Sequence, residues 1–179
     1  FASQDKRDWD RLETIRQGTE GEWDTVRSND PRSADDRAWT RYLAGACPDF
    51  PEAILQANYQ EMLRRLELIE TDEADLTDLA QADEHHWLQR NPVVTEALQQ
   101  LTTGGPQTNY WGGLARGRVR HFDAEQQRPG LPDDVGALVS AITPDSIDLT
   151  LVNLSPHQSR KMVVQAGAFG EHRFTEVSE

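Results

Sequence analysis

The densest run of side chains able to move protons or hold a metal is Asp83-Glu84-His85-His86-Trp87. Histidine titrates near neutral pH, so His85 and His86 beside two carboxylates are the acid–base candidates. Metal ligands on one helix need a spacing of three or four residues so that they share a face. Adjacent histidines point about 100° apart on a helix, and the H-E-x-x-H spacing is absent. The run reads as a helix start with a hydrogen-bonded histidine, and no metal site is expected.

A second stretch of unusual composition is Gly104-Gly105-Pro106-Gln107-Thr108-Asn109-Tyr110-Trp111-Gly112-Gly113. Paired glycines allow positive φ and close backbone approach. Gln107, Asn109 and Trp111 offer the amide and aromatic edges that hold sugars or flat ligands, and Tyr110 offers a hydroxyl donor. The competing reading is a structural turn that joins two parts of the chain, with aromatics plugging the seam. The Gly-Lys-Ser/Thr ending of a phosphate loop is missing, as is a dinucleotide fingerprint, so no cofactor is expected. Arg116, Arg118 and Arg120 alternate as on one strand face and, with His121, form a local basic patch, by default solvated or salt-bridged. With 31 acidic residues, any carboxylate pair chosen from sequence is uninformative. Ser155 lacks a nucleophile-elbow setting, and Cys47 has no base near it in sequence.

The elements that must position these residues divide into three. Residues 1–32 read as an extended or wrapping segment, with Trp9, Leu12 and Ile15 at helical spacing before Gly18. Residues 33–111 read as helical. Ser33 caps one helix with Ala38, Trp39, Tyr42 and Leu43 inward, and a second covers residues 51–70 with an apolar stripe from Ile54 to Ile69. A third starts at the Asn91-Pro92 cap and ends at Gly104. Residues 112–179 read as β-rich after a short helix over 132–142. Strands are expected at 147–152, 161–165 and 171–177, forming an antiparallel meander. The expected class is α+β: a helical first two-thirds followed by a small antiparallel β-meander belonging to a β-sandwich.

The net charge of −13 and pI of about 4.7 argue against nucleic-acid binding. No apolar run approaches the ~18 residues of a membrane span, and one cysteine excludes an internal disulfide. The chain starts at Phe1 and stops two residues after the last expected strand, so it reads as a piece of something larger.

The strings Glu84-His85-His86-Trp87-Leu88-Gln89-Arg90-Asn91-Pro92-Val93-Val94-Thr95-Glu96-Ala97-Leu98 and Leu149-Thr150-Leu151-Val152-Asn153-Leu154-Ser155-Pro156 with Val163-Val164-Gln165-Ala166-Gly167-Ala168-Phe169-Gly170-Glu171-His172 resemble segments near the C-terminus of a group of large, mostly uncharacterised bacterial proteins. Helices followed by a β-sandwich are similar to carbohydrate-active enzymes built on an α-helical toroid. The resemblance implies a non-catalytic C-terminal region of a larger, carbohydrate-active protein, and it transfers no catalytic residue. Its partners are then the remainder of the parent protein or a partner chain, with carbohydrate as a ligand class. Two other readings stay open: active-site residues contributed to a hydrolase or lyase, and a structural or interaction subunit.

Overall fold

The computed structural model describes residues 6–18, 21–27, 36–107 and 116–178. Among these residues five helices precede five strands, so the chain is α+β in the expected order. Helix α1 (Lys6–Gly18) carries no buried residue on its described side chains, as suits a segment outside the core. Ser33 lies outside the described residues. Helix α2 (Arg37–Leu43) buries Ala38 and Trp39. Helix α3 (Phe50–Glu70) has Pro51 in its first turn, where the missing N–H costs no helical bond. Trp39, Tyr42 and Phe50 meet with ring centroids 5.6–5.7 Å apart.

The face that α3 buries differs from the expected stripe. Phe50, Ile54, Asn58 and Arg65 point inward, while Leu55, Tyr59, Leu63, Leu66 and Ile69 are 38–51 % exposed. Helix α3 is apolar over a wider arc than the core covers, so the stripe's hydrophobicity did not specify which part faces in. Two further boundaries move. Helix α4 (Glu84–Arg90) is separate, and α5 runs only from Glu96 to Thr103. Residues 92–94 are not helical, and Asn91 Oδ1 accepts the Val93 N–H at 3.0 Å. Asn91-Pro92 therefore ends one helix instead of starting the next.

The β part is built differently from the expected meander. Strand β1 (Val119–Asp123) pairs antiparallel with β2 (Arg128–Pro129) and with β5 (Met162–Ala166), giving the order β2-β1-β5. Strands β3 (Val135–Ile142) and β4 (Ile147–Asn153) form a separate antiparallel pair. The short helix expected over 132–142 is thus strand β3. A β-bulge between Val139 and Ala141 shifts the register by one residue, which puts Val139 and Ile142 three apart yet both buried. With the rest of the strand half-buried, its apolar residues mimic helical spacing. Residues 171–177 form no strand; Phe174 and Val177 are exposed.

The core runs through both parts. Ala38, Trp39, Phe50, Ile54, Ala97 and Leu101 from the helices cluster with Val119, Val139 and Ile142 from the strands. Gly104 ends α5 at φ +69, and a Cβ there would lie 3.1 Å from both Val139 and Ile142. Only glycine serves both the left-handed turn and this close approach.

Candidate functional site

Asp83 caps α4: its Oδ1 accepts the His86 N–H at 2.9 Å. The cap turns His86 inward, where its Nε2 lies 2.8 Å from Asp72 Oδ2 with a side chain 7 % exposed. Arg90, one turn on, places Nε 2.7 Å from the same oxygen. Burial raises the Asp72 carboxyl's pKa, but the Ala74 N–H, Arg90 and His86 outweigh it and hold it below the ordinary 3.8. Beside this group, buried Arg65 binds Glu61 Oε1 through Nε at 2.7 Å and donates from Nη1 to the Asn91 carbonyl at 2.8 Å. Asp72 and Arg65 thus tie the start of the connector and the end of α4 to α3. His86 at this helix start is thus held by its backbone N–H and by its ring's approach to Asp72, whereas His85 is exposed, 3.7 Å from Asp83 Oδ2.

The connector between α3 and α4 is shaped by its acids. Asp72, Asp75 and Asp78 each accept the N–H two residues ahead, from Ala74, Thr77 and Ala80. Three such turns in series need an aspartate every third residue, which explains much of the acidic run. The Thr77 side chain lowers the Asp75 pKa, the Gln81 amide lowers that of Asp78, and the His86 N–H lowers that of Asp83.

Gln107 belongs to a different cluster. Its N–H donates to Asp36 Oδ1 at 3.0 Å, and its Nε2 donates to Gln100 Oε1 at 3.2 Å. Gln100, fully buried, donates to the same Asp36 oxygen at 2.6 Å. The Gln107 Oε1 is buried with no hydrogen-bond partner among the described residues. Asn109, Tyr110 and Trp111 lie outside the described residues. The histidines and Gln107 therefore sit on separate elements in separate networks.

The expected basic face divides. Arg120 is exposed on β1, its guanidinium 5.2 Å from the Phe122 ring, and Nη1 reaches the Ala168 carbonyl at 3.3 Å. Arg118 is half-buried, and burial lowers its pKa. Arg116 precedes the strand. His121 points the other way: it is buried, with Nε2 2.7 Å from the Thr102 carbonyl, so it is no part of that patch. The Gly167–Gly170 turn folds over Glu171, whose carboxylate is held below its ordinary 4.5 by its own N–H and by those of Phe169 and Ala168. Burial pushes the half-buried Cys47 thiol up, and Asp24 adds to it, which disfavours the reactive thiolate.

Asp72, Arg90, Asp36 and Gln100 were missed in the sequence because their partners lie up to 71 residues away, as for Asp36 and Gln107. Among the described residues, no group of three His, Cys, Asp or Glu side chains is arranged to hold a metal ion, and no helix is long and apolar enough to cross a membrane. What the surface does present is apolar. Besides the α3 residues, Leu79 is 84 % exposed, and Val152, Leu154 and Val163 are open on the β part. Residues 1–99, more than half of the 179, match a family described as a domain of unknown function. No curated protein and no solved structure matches the chain.

Proposed function

The chain belongs to the domain family DUF8034 over residues 1–99, and we propose that it is a non-catalytic docking region of a larger, carbohydrate-active protein. The observation that carries this reading is the bare apolar end of the β part. Strand β4 pairs only with β3 among the described residues, and Leu151 and Val152, just before its last residue Asn153, are exposed on both faces. Leu154 and Val163 extend the apolar surface. Open strand margins with exposed hydrophobics are aggregation-prone unless another polypeptide covers them. The polar clusters support the same reading, since His86 and Gln107 are engaged in holding helices and turns together. The carbohydrate-active parent rests on the resemblance of residues 84–98, 149–156 and 163–172 to large bacterial proteins with helices before a β-sandwich.

The test is a pair of substitutions, Val152→Asp and Leu154→Asp. In the 179-residue chain both positions are exposed, so stability should change by no more than about 0.5 kcal/mol. In the complete parent protein the pair should lower soluble yield and melting temperature. A parent protein indifferent to the pair would overturn the reading, as would glycoside turnover by the chain alone.

A further inference from the structure

We infer that the exposed apolar face of α3, with the connector and α4 beside it, is a docking surface for a basic amphipathic helix of a protein partner. This surface is distinct from the β margin and lies within the family-matched part of the chain. Leu55, Tyr59, Leu63, Leu66 and Ile69 recur every three or four residues and are all at least 38 % exposed. They span four turns of the helix, or about 21 Å at 1.5 Å per residue. The adjoining arc of the same helix buries Phe50, Ile54, Asn58 and Arg65, so the exposed stripe lies beside the face that packs on the core. Beyond the helix, Leu76, Leu79 and Trp87 are also exposed, at 53–84 %. A row of anchors at this spacing is what a helix-in-groove partner reads.

Charge chooses the occupant. From residue 52 to 84 the chain holds ten carboxylates and two arginines. Both arginines are engaged with Glu61, Arg64 through Nη2 at 2.7 Å and Arg65 through Nε at 2.7 Å. Glu52, Glu67, Glu70, Glu73, Asp75 and Asp78 remain exposed around the apolar residues. A second copy of the chain would bring the same acidic rim and another −13 of net charge to the contact, and anionic membranes would be repelled likewise. A helix with leucine-type anchors flanked by lysines and arginines satisfies both the stripe and the rim.

The probe is a labelled synthetic peptide of about 18 residues with leucines at i, i+3, i+4 and i+7 and lysines on the flanks, titrated with the 179-residue chain. A twin with glutamates in place of the lysines is the control. The lysine peptide should bind at least about tenfold more tightly, and more weakly as salt rises from ~50 to ~500 mM. Leu63→Ser with Leu66→Ser changes no charge at two exposed sites; circular dichroism should be unaltered while affinity falls about tenfold. Equal binding of the two peptides, no binding of either, or affinity unchanged in the Ser pair would overturn the inference. So would self-association through this face in sedimentation. None of these outcomes bears on the β margin, whose own substitutions report separately.

Discussion

Asp72 shows how a residue with no motif can hold a site together. One carboxylate oxygen meets both His86 and Arg90, and the other accepts the Ala74 N–H. Asp72→Asn would leave Arg90 and the histidine without their anion while keeping the side chain's shape. Hydrogen exchange over residues 71–90 should rise selectively, with the amides of β3 unchanged. Because the folded-state pKa of Asp72 is lowered, its stabilising contribution is present above the ordinary 3.8 and is lost as pH falls through the folded value. Asp75, Asp78 and Asp83 shift in the same direction. Denaturant unfolding at pH 6 and pH 3 should show lower stability in acid, and the loss should be smaller in Asp72→Asn. Gly167 makes a second residue-scale test. It sits at φ +79, and an added Cβ would fall 2.4 Å from Glu171 Oε2. Gly167→Ala should cost at least about 1–2 kcal/mol from the left-handed backbone alone, read as a lowered melting temperature.

Elements were legible where one principle acted alone. Helices α2 and α3 follow from their spacing, and Gly104 marks the end of α5 because αL termination needs no distant partner. Strand β3 was not legible: a bulge, and burial spread along its length, erased the two-residue alternation that identifies strands. The pairing of β5 with β1 was equally hidden, since it joins residues 39 to 47 apart that share no local signal. On α3 the period was right and the facing wrong. Which arc of a broadly apolar helix turns inward depends on what packs there, here the aromatic cluster through Phe50 and the Arg65–Asn91 tie. Phe50→Ala should therefore cost about 3–5 kcal/mol. Leu66→Ala, on the exposed face, should cost far less, and thermal melts of the two variants compare them directly.

At the scale of the whole molecule, helices and strands share one core through α5 and β3, yet large apolar side chains stay in solvent at both ends. A core can hold such a chain together while leaving apolar surface in solvent. The candidate site was legible only in part, because His86 and Gln107 were singled out as chemistry and the structure places them in ties between elements. The most direct test of the docking account is hydrogen exchange of residues 148–154, measured in the 179-residue chain and in the complete parent protein. Covering the margin should slow these amides by about a hundredfold in the parent relative to the chain. Equal exchange in the two would contradict it.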